Sequence, residues 1–237
     1  MEKSGNSIKG ILYVVSTPIG NLEDITLRAL RILKTVHTIA CEDTRQTLKL
    51  LNKYQIKKPL ISYFHPQETK KLHFILKLLK EGKDIALVSD AGTPGISDPG
   101  YPLIQEAIRQ GIKILPIPGA SALSAALSAG GLPTHRFLFI GFPPPKKQAV
   151  KKLIESLKTE PSTIVFYLPT RKLDFFLRSI MEILGDRVVV IAREITKIHE
   201  EFIRGSPKEL LNKMESKKMK GEAVILVAGN KYSLKTL

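Results

Sequence analysis

The densest gathering of potentially reactive residue types in the sequence is Ser89-Asp90-Ala91-Gly92-Thr93-Pro94-Gly95-Ile96-Ser97-Asp98-Pro99-Gly100. Two carboxylates and three hydroxyls stand among three glycines and two prolines. Glycine admits positive φ and lets the main chain come close to a bound molecule, while proline fixes φ and removes an N–H donor. A segment built this way has a shape to hold, and it can present backbone groups and carboxylates to a small ligand. An ordinary turn with a helix cap accounts for Asp98 and Pro99, since aspartate followed by proline is a good helix start. It leaves the crowding of residues 90 to 95 unexplained.

Three other clusters carry similar chemistry: Ser16-Thr17-Pro18-Ile19-Gly20-Asn21, Glu42-Asp43-Thr44-Arg45 and Pro116-Ile117-Pro118-Gly119-Ala120-Ser121. None matches a Walker-type lysine loop, a G-x-G-x-x-G turn or a G-x-S-x-G nucleophile elbow. A P-loop hydrolase, a standard dinucleotide fold and a serine hydrolase are therefore not indicated. The single Cys41 excludes an internal disulfide and a multi-cysteine zinc site, and the five histidines (37, 65, 73, 135, 199) show no metal-ligand spacing. No metal is expected.

The elements that must position these clusters follow from hydropathy. Apolar runs end at each cluster: Ile11 to Val15, Thr38 to Cys41, Ile85 to Val88 and Ile112 to Leu115 read as strands. Helical spacing follows each, around Leu27, Leu30 and Leu33, then Leu48, Leu50 and Leu51, then Leu103, Ile104, Ala107 and Ile108 after Pro99, and in Ala122 to Ala129. Pro59 to Tyr63 and Glu68 to Lys80 add a strand and a helix. Strand, special loop and helix in repetition predict a parallel sheet whose ligands collect outside the carboxyl ends of the strands. The small residues of Ala122 to Ala129 suit close packing or the approach of a ligand to the helix N-terminus.

Gly130-Gly131-Leu132-Pro133 is the expected domain boundary, giving domains 1–132 and 133–237. The second is again α/β. Strands are expected at Phe137 to Phe142, Ser162 to Leu168, Arg187 to Ala192 and Glu222 to Val227, with Ile198 to Arg204 as a hairpin arm. Helices are expected over Lys146 to Lys158, Pro169 to Leu184 and from Ser206-Pro207 through Met214.

Lysine and arginine outnumber aspartate and glutamate by 37 to 22, a formal charge of +15. The excess is shared by both halves and favours a polyanionic partner, RNA or DNA foremost, though a lysine-rich solvated surface would look the same. Without tryptophan and with six tyrosines, a broad base-stacking platform is not expected. The apolar run Ile11 to Val15 is too short for a signal peptide or a membrane span, which points to the cytoplasm.

Taken together, Val14-Val15-Ser16-Thr17-Pro18-Ile19-Gly20-Asn21-Leu22-Glu23-Asp24-Ile25-Thr26, Glu42-Asp43-Thr44-Arg45, Leu87 to Pro94 with Ser97-Asp98-Pro99-Gly100, Pro116 to Gly119 and Ala192-Arg193-Glu194-Ile195-Thr196-Lys197 resemble the tetrapyrrole methylase superfamily. They are most similar to its branch that methylates ribosomal RNA, and the likeness runs from about Gly10 to Gly229. The resemblance implies a class III methyltransferase of two α/β domains with the cofactor, S-adenosylmethionine, held in a cleft between them. It also implies a cytidine 2′-hydroxyl in the decoding region of 16S rRNA as acceptor, presented as RNA or as the small ribosomal subunit, and a homodimer. The alternative within the same superfamily is a tetrapyrrole C-methyltransferase of the uroporphyrinogen or precorrin type. A non-catalytic RNA-binding protein that keeps the fold is a second alternative. The sequence stops at Leu237, where relatives often carry a further small helical extension.

The family's cofactor loop corresponds here to Asp90, Ala91, Gly92 and Thr93, joined by Ser121, Ala122 and Tyr167. Transfer from a sulfonium to oxygen needs in-line approach and removal of the hydroxyl proton, without metal or covalent enzyme intermediate. The resemblance supplies no settled base, so position and chemistry choose one. Asp43 and Glu194 each stand just beyond a strand and are the candidate bases, with Arg45 as a bidentate holder of a flanking phosphate. Against this, Asp43 could cap the next helix and Glu194 could pair with Arg193 or Lys197.

Overall fold

The computed structural model describes residues 9–63, 68–215 and 219–232. The polar N-terminal residues 1–8, His65 and Leu237 lie outside them. The chain forms two compact units, Met1–Ser121 and Ala122–Leu237.

The first unit alternates β1 (Leu12–Val15), α1 (Leu27–Thr35), β2 (Thr38–Cys41), α2 (Thr44–Lys53), β3 (Leu60–Ser62), α3 (Glu68–Lys80), β4 (Ile85–Val88), α4 (Tyr101–Arg109) and β5 (Ile114–Ile117). Its five strands are all parallel, in the order β3-β2-β4-β1-β5. Successive side chains of a strand point to opposite faces, and both faces are covered. Ala86 and Val88 pack with Ala29, Ile32, Leu33, Leu50 and Leu51 of α1 and α2. Ile85 and Leu87 pack with Ile75, Leu79, Leu103 and Ala107 of α3 and α4. Burial on both sides is why β4 reads as an unbroken apolar run rather than an alternating one. All carboxyl ends of a parallel sheet lie on one edge, so the loops that follow β1, β2, β4 and β5 are brought together there.

Two local expectations are corrected. Asp98 does not cap a helix: α4 begins at Tyr101, its N-cap is Gly100 at φ 137°, and Pro102 occupies its first turn. The carboxylate of Asp98 is turned to other uses, described below. The last strand of the unit runs over Ile114–Ile117, not Ile112 to Leu115, because the Ile112 N–H bonds the Ala107 carbonyl and closes the end of α4. Pro116 is tolerated in this strand because β5 is at the sheet edge, where one side of the backbone has no ladder to serve.

The second unit comprises α5 (Ala122–Gly130), β6 (Phe137–Gly141), α6 (Lys147–Ser156), β7 (Thr163–Pro169), α7 (Leu173–Leu184), β8 (Val189–Arg193), β9 (Glu201–Gly205), α8 (Pro207–Glu215) and β10 (Glu222–Val227). The sheet order is β6-β7-β10-β8-β9; β6 and β7 are parallel and the other pairs antiparallel. Val150, Ile154, Phe176, Leu177, Ile180 and Leu210 of α6, α7 and α8 pack on one face against Ile164, Phe166, Val189, Ile191 and Ile225. Leu226 points to the other face and meets α5 so closely that a Cβ on Gly130 would lie 2.3 Å from its Cδ1. Arg204 of β9 donates to the carbonyls of Gly130 and Ala129 at 2.9 and 2.6 Å. These contacts assign α5 to the second unit, so the units divide at Ser121/Ala122, ahead of the Gly130-Gly131 pair.

Candidate functional site

The carboxyl edge of the first sheet is knitted into one polar surface. Thr17, after β1, and Gly92, after β4, form an isolated antiparallel bridge, their backbones exchanging hydrogen bonds of 2.8 and 3.0 Å. Gly92 sits at φ 87°, a region L-residues rarely enter, so the bridge depends on glycine there. Thr17 Oγ1 donates to the Ser89 carbonyl at 3.0 Å, and the hydroxyls of Ser16 and Thr93 lie 2.8 Å apart. The turn after β5 is drawn onto the same surface: a Cβ on Gly119 would stand 3.0 Å from Ser16 Cβ, so a larger residue there would have to push Ser16 aside by a few tenths of an ångström. From β2, the Asp43 N–H donates to Asp90 Oδ1 at 2.9 Å. Asp90 therefore ties the loop after β2 to the loop after β4, a structural role that its type alone did not disclose.

Four carboxylates gather at this edge in two different electrostatic states. Asp98 is half-buried and hydrogen-bonded to Ser89; burial, with the charges of Glu42 and Asp90, pushes its pKa up to about 6. Burial also raises Glu42, helped by the charge of Asp90, and raises Asp90 itself. Among the described residues, none of these three makes a salt bridge. Asp43 behaves oppositely. Its side chain caps α2 by accepting from the Arg45 N–H at 2.8 Å and grips the Arg45 guanidinium at 2.7 to 3.2 Å, which holds its pKa at about 2. Arg45 is correspondingly engaged with Asp43, with most of its side chain exposed.

In the second unit, Glu194 follows β8 in the left-handed region at φ 50°. Burial would raise its pKa, but the N–H of Glu222 and the ammonium of Lys197, both 3.0 Å from Oε1, hold it below the usual carboxylate range. The neighbouring Arg193, almost fully buried, donates to the Lys220 carbonyl and to Glu201. Glu194 thus fastens the end of β8 to the start of β10. Tyr167 of β7 is half-buried, edge-on to Phe139 and Phe142 with ring centres 5.0 and 5.5 Å away. Ser121 and Ala122, both half-buried, end the first unit and begin α5.

Of the residues singled out from the sequence, the first unit brings Asp43, Arg45, Asp90, Ala91, Gly92 and Thr93 to one edge; Tyr167 and Glu194 are features of the second unit. Glu42, Ser89 and Asp98 were not singled out as site residues. The available signal was their position: each stands within a loop that leaves the carboxyl end of a buried parallel strand.

The description of tetrapyrrole (corrin/porphyrin) methylases matches residues 11–211, and the chain belongs to this family. Among curated proteins, the ribosomal RNA small subunit methyltransferase I of Thermotoga maritima is 51% identical over 220 residues, spanning 93% of this chain and 99% of that protein. Its counterpart in Bacillus subtilis is 46% identical over 97% of this chain and 79% of that one. Among solved structures, a cobalt precorrin-4 methyltransferase superposes with a TM-score of 0.67 at 19% identity, covering 96% of this chain and 98% of that chain. A diphthine synthase gives 0.70 at 15% identity over 92% and 90%. At such identities the structures establish a common fold, and the fold expected from the sequence, two α/β units of the tetrapyrrole methylase kind, is the one found.

Proposed function

We propose that the protein transfers a methyl group from S-adenosylmethionine to the 2′-hydroxyl of a cytidine in 16S ribosomal RNA. The observation that carries the reading is the 51% identity, over nearly the full length of both chains, to a ribosomal RNA small subunit methyltransferase. The excess of 37 basic over 22 acidic residues supports a phosphate-rich acceptor over a small acidic tetrapyrrole.

The residues at the carboxyl edge suit this donor. S-adenosylmethionine supplies an already activated methyl on a positively charged sulfur. Glu42, Asp90 and Asp98 form a cluster of carboxylates with no salt bridge among the described residues, so a nearby cation would relieve their mutual repulsion. The glycine at position 92 lets the backbone of Asp90 to Thr93 approach a ligand, and Ser121, Ala122 and Tyr167 are the proposed further contacts. For the proton of the ribose hydroxyl, Asp98 fits better than Asp43 or Glu194. A general base works best with a pKa near the working pH; Asp98 is at about 6, whereas Asp43 is near 2 and Glu194 is lowered. Asp43 and Arg45 then act as a preset pair at the mouth of α2, where Arg45 can exchange its partner for an RNA phosphate.

Incubation with labelled methyl donor and, in parallel, small ribosomal subunits or uroporphyrinogen tests the reading. Label in RNA supports it; label only in the tetrapyrrole assigns the chain to the small-molecule branch. Calorimetry that finds no binding of the donor or its demethylated product would point to an RNA-binding protein without catalysis.

A further inference from the structure

A cavity of about 200 Å³ lies wholly within the first unit. Its walls are Pro18 and Ile19 of the loop after β1, Leu22 of the following short turn, Thr47 and Leu50 of α2, and the Ser89-Asp90-Ala91 segment. The buried side chains of this wall are apolar or carry a hydroxyl; the charged and amide groups, Asp90, Lys49 and Gln46, are exposed at the rim, where Lys49 Nζ donates to Gln46 Oε1 at 2.9 Å. Thr47 is 5% exposed, and among the described residues its Oγ1 completes no hydrogen bond. It lies near enough to Cys41 to favour the thiolate, but a thiol is a weak partner for a hydroxyl. Buried polar groups are almost always satisfied, so this hydroxyl calls for one from a ligand.

Size and lining narrow the ligand class. Pockets for drug-sized molecules run from about 300 to 1,000 Å³, so this one has room for roughly a single flat ring. Apolar walls from Pro18, Ile19, Leu22 and Leu50, with the Thr47 hydroxyl left to meet a polar edge while those of Thr17 and Ser89 bond backbone carbonyls, suit a pyrimidine. The amino-acid end of the methyl donor, with its carboxylate and ammonium, would instead need buried charged partners that this wall does not offer. Enzymes that act within structured RNA commonly splay the target nucleotide out and bind its base by the Watson–Crick edge. We infer that this cavity receives the extruded base of the acceptor nucleotide, with the Thr47 hydroxyl bonded to the base edge and the attached ribose delivered beside Asp90-Ala91. The inference rests on RNA being the methyl acceptor.

The test uses the full-length protein and RNA fragments of the small subunit in which the acceptor nucleotide is intact or abasic at carbon 1′. Thr47→Val removes the hydroxyl at nearly constant volume. It is expected to raise KM for intact RNA roughly five- to tenfold, the scale of one lost hydrogen bond, and to leave calorimetric affinity for the donor unchanged. On abasic RNA the parent loses affinity and the variant no longer differs from it. Leu22→Trp, at a position 37% exposed and so tolerant of a larger side chain, narrows the cavity and should give the same pattern, which keeps the test alive if Thr47→Val does not fold. An equal Thr47→Val penalty on abasic RNA, or weaker donor binding with an unchanged KM for RNA, overturns the inference. If the parent methylates intact and abasic RNA alike, this inference alone fails. If it methylates no RNA, the functional reading fails and takes the inference with it.

Discussion

The loop after β4 and the turn after β8 each follow a buried strand and each carry a carboxylate, yet they hold it in opposite ways. After β4, Asp98 is half-buried beside Glu42 and Asp90 and receives one hydroxyl, so its proton is held to about pH 6. After β8, Glu194 receives a backbone N–H and a lysine, and its charge is stabilised. The first arrangement is costly to the fold and available to a ligand; the second is a fastening between β8 and β10. Both are acids in a segment that leaves a buried strand, and the surrounding donors and charges give them opposite states. Pairs of acids pushed apart in this way are the usual mark of divided labour between chemistry and structure.

The largest effect that would sharpen the contrast comes from Gly92→Val. A β-branched residue at φ 87° costs about 1–3 kcal/mol in backbone strain, and relieving it breaks the paired bonds to Thr17. Donor binding measured by calorimetry is expected to vanish while circular dichroism stays that of a folded protein. A folded variant with parental affinity would reduce the loop after β4 to a turn.

Next in size is Asp98→Asn. If Asp98 accepts the proton, single-turnover methylation falls by about 10²–10⁴, and the rise of the parent's rate through pH 6 disappears. Stability moves the other way. Because folding raises the Asp98 pKa, the native state holds this proton more tightly than the unfolded chain, so the parent loses stability as pH climbs from about 4 to about 6. The variant should lack that loss, which thermal melts across this range would read.

Smaller effects belong to the fastened acids. Asp43→Asn keeps an N-cap acceptor and should change the single-turnover rate only a few-fold. Its stabilising ion pair, present above about pH 4, is given up only as acid approaches pH 2. Glu194→Gln should lower the melting temperature through the loosened β8–β10 junction with little change in rate. A collapse of rate in either variant, with donor and RNA binding intact, would reverse the assignment of roles.

The smallest effect is expected on α6. Replacing the exposed Lys146, Lys147 and Lys152 by alanine should weaken RNA binding and flatten its salt dependence by nearly one unit of slope for each phosphate no longer neutralised. Donor affinity should not move. Lys151 is left in place because it is paired with Glu182. An unchanged salt slope would make this helix a solvated face.

Much of the fold was readable because buried parallel strands announce themselves: Thr38–Cys41 and Ile85–Val88 fall where hydropathy places them, as does the central strand Glu222–Val227 of the second sheet. What hydropathy could not see were choices made by neighbours. Ile112 closes α4 instead of opening β5, and α5 joins the second unit because Arg204 and Leu226 receive it. At the candidate site, the loop glycines signalled where a ligand could approach, since their spacing is a local property. The cap that Asp43 makes on α2 and the pairing of Glu194 with Lys197 are the alternatives that the sequence offered for these two acids. The raised state of Asp98 was not legible, because a carboxylate's pKa is set by its surrounding donors and charges, some of them distant in sequence, as when Asp98 meets Glu42.

Methylation of the ribose is read most directly by digesting to nucleosides the 16S RNA of small ribosomal subunits incubated with the protein and methyl-labelled S-adenosylmethionine. Label is expected to co-elute with 2′-O-methylcytidine. Label on a base, or RNA without label beside a methylated tetrapyrrole in the parallel reaction, would contradict it.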